Sequence, residues 1–383
     1  MSLPLRAEES QIIVEVSGVD NDMAQTLKNG LTIEQQKNSE RLNPRYVEKL
    51  YQSGLESLQQ MLTVYGYYSP QIDGELTSVE SGWKASYQIE LGRPVKLQQV
   101  DLQISGEAGD DPEFQKLIKD FPLKSEQQLN HQEYESAKKS ILRLAASRGY
   151  FDGKMTRSEV KVYPDKSIAN VYLYYDSGER YHFGQISYPD TVIGERLLSK
   201  LEPLKPGDAY TDSDVLTMRN NLSNSGYFDA VSVRAEREQR ENGQVPLTVS
   251  LNEKPKHLYT AGLGYGTDTG ARLALGWENR YINDRGHRLT TDARLSQVAN
   301  SVSADYIMPF WSETINTVGF NTEYKQQDTD TSESQSFAVG SYYKRQRFGW
   351  DETGSLKLLQ EDFDVSDDSE SALLLIPGIA WSR

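Results

Sequence analysis

The chain has 383 residues, with 41 lysines and arginines against 56 aspartates and glutamates and a formal charge of -15. That length leaves room for about two to four domains, and so acidic a chain lacks the basic patches that neutralise phosphates, which argues against a nucleic-acid partner. It contains no cysteine, which excludes thiol catalysis, disulfide scaffolds and cysteine zinc sites. No apolar run is long enough for a transmembrane helix, but alternating strands of a membrane barrel leave only a weak hydropathy signal. The opening "MSLPLRAEES" has neither a basic nor an apolar signal region, so residues 1–9 read as a tag or flexible N-terminus, any export signal having been removed.

The first strand is expected in "QIIVEVSGVD" and a short helix in "DMAQTLKNGL". A long helix follows in "NPRYVEKLYQSGLESLQQMLTVYGYY", where Val47, Leu50, Tyr51, Leu55, Leu58, Leu62 and Tyr65 share one face behind the Asn43-Pro44 start. The helix stops at Gly66, and Tyr67 opens a strand. The same order returns twice. "VKLQQVDLQISGE", "DPEFQKLIKDFPL" and "NHQEYESAKKSILRLAASRGYF" lead to Gly149, Tyr150 and Phe151, with Tyr134, Ala137, Ile141, Leu144 and Ala145 as the stripe. "YHFGQISYPD", "IGERLLSKLEPL" and "TDSDVLTMRNNLSNSGYF" lead to Gly226, Tyr227 and Phe228, with Val215, Met218 and Leu222 as the stripe. The three joints recur at about 80 residues, a spacing that marks tandem small domains. Glycine suits each one because it enters the left-handed conformation that ends a helix at little cost. Each unit reads strand, helix, helix, strand, strand, an α+β order. Boundaries near "LGRP", "DSGER" and "NEKPKH" divide the chain into 10–93, 94–179, 180–255 and 256–383.

After Pro255 the period changes from helical to alternating, and eight strands fit before Arg383. In the first, Tyr259, Ala261, Leu263 and Tyr265 alternate with Thr260, Gly262, Gly264 and Gly266. The polar rows of later strands carry Arg272, Glu278, Asp292, Arg294, Asp305 and Glu323, as a wet lumen would. The connections sort by parity. Those after the second, fourth and sixth strands hold Tyr281, Phe310, Trp311, Phe348 and Trp350; Tyr281, Trp311 and Trp350 are the expected membrane-interface aromatics. Those after the fifth and seventh, "QQDTDTSESQ" and "DFDVSDDSES", are acidic and read as solvated loops, since they lack the glycine and terminal glutamate of a calcium loop.

Enzyme chemistry finds no foothold. His131, His182, His257 and His287 have no ligand spacing, and neither a G-x-S-x-G elbow nor a P-loop occurs. "GLGYGTDTG" has no lysine and opens a strand, so it is not a phosphate cradle. No catalytic residue, metal or cofactor is expected.

The thrice-written Gly-Tyr joint, together with "LKPGDAYTDSDV" before the last long helix, resembles the POTRA (polypeptide-transport-associated) domain over roughly 10–255. Three such units followed by outward-apolar antiparallel strands resemble the outer-membrane assembly family that includes BamA and TamA. The number of units is nearest the TamA type. The resemblance implies a periplasmic arm, an outer-membrane barrel, unfolded outer-membrane clients such as autotransporters, and an inner-membrane-anchored TamB-like partner. It also implies recognition by strand addition at POTRA edges and at a barrel seam. The seam strand would be 258–267, with Tyr259, Gly262, Gly264 and Gly266, where missing side chains leave neighbouring strands little to hold. The family barrel has about sixteen strands, in the even-numbered series of such barrels, so the chain is expected to be the arm with half a barrel. A complete small barrel is the alternative. The family's lumen motif is matched only by Arg148-Gly149-Tyr150, in the second repeat, and is not assigned there. A rival reading is a two-partner-secretion transporter that exports one dedicated substrate through its lumen.

Overall fold

A computed structural model describes residues 11–80, 82–191, 193–267, 269–311, 315–329, 332–365 and 368–383. Residues 1–9, expected to be a tag, lie outside the described residues, as do the side chains of Phe310 and Trp311 and residues 330, 331, 366 and 367. The rest of the two acidic segments expected as loops, 326–335 and 362–371, is paired strand. The chain forms two compact units, 1–181 and 182–383.

The first repeat runs β1 (Gln11–Ser17), α1 (Asn21–Gly30), α2 (Thr32–Gln35), α3 (Pro44–Val64), β2 (Gln71–Val79) and β3 (Gly82–Glu90). Asp20 caps α1 by accepting from the Met23 amide at 2.9 Å, and Asn43 caps α3 by accepting from the Tyr46 amide at 3.0 Å. One turn, α2, was not expected; it drives Ile33 into the core two residues after Leu31, both fully buried. The buried face of α3 is Val47, Leu50, Tyr51, Gly54, Leu58 and Leu62. Gly54 is small because the Tyr87 ring lies over it: a Cβ there would fall 2.4 Å from the Tyr87 hydroxyl oxygen. Tyr87 stacks on Tyr51 at 5.5 Å and donates to the Tyr51 carbonyl at 3.2 Å, so this aromatic is buried with its polar end satisfied.

The second repeat runs β4 (Lys96–Ser105), α4 (Pro112–Lys119), α5 (His131–Ser147), β5 (Lys154–Tyr163) and β6 (Ile168–Asp176). The third runs β7 (His182–Ser187), α6 (Glu195–Leu201), α7 (Asp212–Asn224), β8 (Phe228–Ala235) and β9 (Gln244–Glu253). All three sheets share one topology, with orders β1-β3-β2, β4-β6-β5 and β7-β9-β8. The last strand of each repeat is central. It pairs parallel with the first strand, because the helices intervene, and antiparallel with its hairpin neighbour. The hairpin strands β2, β5 and β8 each keep an edge that no further strand covers among the described residues, whereas loop backbone pairs on the outer edges of β4 and β7: the Leu97 amide donates to the Gln127 carbonyl and the Phe183 amide to the Asp208 carbonyl, both at 2.8 Å.

The remaining strands are β10 (His257–Gly266), β11 (Gly270–Asn279), β12 (Arg288–Ser296), β13 (Ala299–Trp311), β14 (Ile315–Thr329), β15 (Ser332–Arg347), β16 (Trp350–Val365) and β17 (Asp368–Ser382). They form one antiparallel sheet in chain order, with β10 and β17 at its edges among the described residues. One face carries exposed apolar side chains: Leu263 is 88% and Tyr265 81% exposed, and Leu373, Leu375 and Ile379 lie open in the same way. The other face is polar. Lys357 pairs with Glu323 at 3.6 Å, Lys344 with Asp351 at 3.7 Å, and the Tyr342 hydroxyl donates to Asp305 at 3.0 Å. A sheet that buries neither face on protein, apolar on one side and charged on the other, is partitioned for lipid and water. The architecture is thus tandem α+β repeats followed by an open all-β barrel portion.

Candidate functional site

The three joints share more than a helix stop. Gly66, Gly149 and Gly226 have φ of +88°, +85° and +83°, the left-handed region that a residue with a Cβ resists. Each joint also receives a backbone amide from the segment that leaves its own repeat. Val95 donates to the Gly66 carbonyl, Tyr181 to the Gly149 carbonyl, and Lys254 to the Tyr227 carbonyl, all at 2.9 Å. The joint therefore fixes where the outgoing chain starts. Sequence reading found the glycine but not this bond, which joins residues about 30 positions apart through no local pattern. The aromatics differ in burial. Tyr150, Tyr227 and Phe228 are buried, Tyr67 is half-buried, and Phe151 sits 5.6 Å from the Tyr181 ring.

At the third joint the contact extends to the sheet. Tyr227 donates to the Gly286 carbonyl at 2.6 Å, in the connection between β11 and β12. Arg288, the first residue of β12, lies 4.4 Å from the Tyr227 ring centroid and donates to the Ser225 carbonyl. The Gly194 amide donates to the Asp284 carbonyl at 3.2 Å. Gly286, at φ +76°, admits the Tyr227 hydroxyl, which a Cβ would meet at 2.3 Å. Tyr281, expected as a membrane-interface aromatic, donates its hydroxyl to the Lys254 carbonyl at 2.8 Å and holds the entry linker. Trp350 is 42% exposed with Arg383 over its ring, and neighbouring Phe348 is widely exposed.

Among the described residues the glycine-rich strand β10 pairs on one side only. Gly262 faces Ala274, Gly264 faces Arg272 and Gly266 faces Gly270 on β11. Tyr259, in the alternate row, is exposed beside the His257 ring, whose Nδ1 accepts from the Trp277 indole at 3.2 Å. A Cβ at Gly264 meets nothing within 4 Å, and at Gly262 only the Ala274 methyl at 3.8 Å. Space is thus not the reason for glycine at 264. Gly264→Val is expected to strengthen pairing with β11 by about 1 kcal/mol. Retarded heat-induced unfolding in a heat-modifiability gel would record it; a barrel that melts earlier would contradict it. What β10 offers chemically is a row of backbone donors and acceptors open on one side among the described residues.

Residues 13–91 match the family described as POTRA domain TamA domain 1. Residues 100–178 and 181–254 match the POTRA family described as surface antigen variable number repeat. Among solved structures, BamA from Haemophilus ducreyi lacking POTRA domains 1-3 is similar at 14% identity and TM-score 0.56, covering 75% of this chain. The match spans 58% of that BamA chain's own length and speaks to the fold alone. CdiB from Acinetobacter baumannii is similar at 16% identity and TM-score 0.46, over 87% of this chain and 66% of that one. Three POTRA matches in succession, each lying on a repeat whose joint and sheet order are the same, followed by an antiparallel sheet with one apolar and one charged face, place the chain in the BamA/TamA-type family.

Proposed function

We propose that this protein assembles or translocates other proteins at the bacterial outer membrane, with its repeats in the periplasm, and that it does so by strand addition. The observation that carries the reading is the edge arrangement. Among the described residues each repeat keeps an open edge at its hairpin strand, β2, β5 or β8, and the β10 edge lies in a sheet whose outward face is apolar. An incoming extended segment satisfies its backbone at such an edge whatever its side chains, so a single edge serves many clients. No cluster suited to a metal occurs among the described residues. The clients fitting this chemistry are unfolded outer-membrane proteins, autotransporters included. The match of 13–91 to the TamA-type first domain supports an inner-membrane-anchored, TamB-like partner in the same proposal.

The test is site-specific photocross-linking during client insertion. A photoreactive residue at Ala261, on the β10 edge strand, is expected to capture the terminal strand of an unfolded client. The same probe at Val339, on the inner strand β15, is expected to capture far less. Equal capture at both sites would reject edge pairing as the route.

A further inference from the structure

Between α6 and the β11–β12 connection lies a cleft of about 440 Å³ that the strand-addition chemistry does not use. Arg196 and Lys200 line it from α6, Arg285 from the connection, and Glu195 and Asp284 carry the opposite charge beside them. All five are exposed, and no ion pair or side-chain hydrogen bond engages any of them among the described residues. Unpaired charges of both signs, gathered around one concavity, are suited to a ligand that itself carries both.

The cleft's level is set by the strands. Its wall includes His287, one residue before β12 begins, and Pro309 near the end of β13. The His287 ring meets Tyr306 edge-on at 5.6 Å, with Nδ1 2.7 Å from its hydroxyl. Tyr306 belongs to the same row of β13 as Val302, which is 54% exposed on the apolar face. Pro309 shares its row with Asp305, and His287 precedes the apolar row of Leu289, so the cleft lies at the ends of the strands, where both faces give way to polar connections, the depth of lipid headgroups. Burial, with Arg285 beside it, pushes the His287 imidazole down, so it meets a ligand as a neutral donor or acceptor.

We infer that this cleft binds the headgroup of a phospholipid in the periplasmic leaflet, and that it favours a headgroup with an amine. Arg196, Lys200 and Arg285 take the phosphate, which a guanidinium or ammonium binds through charge-assisted hydrogen bonds. Glu195 and Asp284 take the ammonium. Phosphatidylethanolamine satisfies both halves, whereas phosphatidylglycerol leaves the carboxylates unpaired.

The inference rests on the sheet being in the membrane, and the experiment separates the two. The full chain is first floated with phosphatidylcholine vesicles, then titrated in detergent with phosphatidylethanolamine, phosphatidylglycerol or inorganic phosphate and read by native mass spectrometry. The expected result is flotation, saturable phosphatidylethanolamine binding, and a loss of roughly tenfold or more in the triple variant Arg196→Gln, Lys200→Gln, Arg285→Gln. The double variant Glu195→Gln, Asp284→Asn is expected to lose the preference over phosphatidylglycerol while still binding it. Circular dichroism and heat modifiability check that both variants fold. Failure to float overturns the membrane reading itself. Flotation with unaltered lipid binding by the triple variant overturns only the cleft. Displacement of lipid by equimolar inorganic phosphate would make this a free-anion site, and phosphatidylglycerol binding as tight as phosphatidylethanolamine would overturn the amine preference.

Discussion

Asp111→Ala is expected to cost the second repeat about 3–5 kcal/mol, the loss typical when one partner of a buried ion pair is removed. Asp111 is 5% exposed and caps α4 by accepting from the Glu113 amide at 2.9 Å. Its other oxygen accepts from Arg148 Nε at 2.6 Å and from the Tyr150 hydroxyl at 3.1 Å, with Arg180 Nη1 at 3.7 Å. Arg180 in turn donates to the Arg148 carbonyl at 2.8 Å. Arg148-Gly149-Tyr150 is therefore a brace within the repeat: the arginine and tyrosine grip a carboxylate, and the glycine between them receives the outgoing chain. Alanine would take the carboxylate from the Arg148 guanidinium beside a buried ring and uncap a helix. Urea unfolding of residues 11–181, one compact unit, measures the effect; a midpoint equal to wild type would exclude the brace.

The same cluster sets an acid limit. Burial pushes the Asp111 carboxyl up, but the Arg148 hydrogen bond, the Glu113 amide, the Arg148 charge and the Tyr150 hydroxyl outweigh it and hold the group below its ordinary value. A depressed carboxyl stabilises the fold fully above its unfolded pKa of about 3.9 and loses that contribution as pH falls through the folded value. Stability should therefore drop steeply below about pH 4 in the wild type, and the slope should flatten in Asp111→Asn. The Tyr150 hydroxyl is pushed up to about 12 by burial and then by the Asp111 charge, so it remains a donor across this range.

Tyr227→Ala is expected to remove about 3–5 kcal/mol from the third repeat, as large aromatic truncations in a core do. Tyr227 is 2% exposed, lies under the Arg288 guanidinium, and ends on the Gly286 carbonyl. The truncation should also release the connection that carries Asn283 to Arg288. Tyr227→Phe separates the two effects, because it keeps the ring and deletes one hydrogen bond of about 1 kcal/mol. Amide exchange on the full chain in detergent reads both. The Gly286 region should exchange faster in Tyr227→Phe while β8 and β9 stay protected. Exchange there equal to wild type would mean that the hydroxyl does not hold the turn.

The local grammar of the chain was legible before any coordinates. The α3 stripe needs only a period of 3.6 and an Asn-Pro start, and Val47, Leu50, Tyr51, Leu58 and Leu62 are buried as that period requires. Gly66, Gly149 and Gly226 could be read because the left-handed turn is a preference of one residue. Alternation in 257–382 separated the face of Leu263, Tyr265 and Val339 from that of Arg272, Asp305 and Glu323, since neighbouring side chains of a strand point to opposite sides.

What alternation could not give is who pairs with whom. A strand's pattern states which face is apolar but not which neighbour its amides find. That the third strand of each repeat is central, between β1 and β2 or their equivalents, was settled only when helices and strands closed on a common core. The short α2 turn escaped notice because four residues carry too little period to read. Asp111 meets Arg148 across 37 positions and Tyr227 meets Gly286 across 59, contacts between groups that are each unremarkable in their own stretch of chain. Helix periods, turn glycines and strand faces follow from forces acting over a few residues, and the sequence carries them openly. Strand order, the docking of each linker on its joint and the grip of the third repeat on the β11–β12 connection depend on the mutual satisfaction of distant donors and acceptors, and those find one another only in the folded chain.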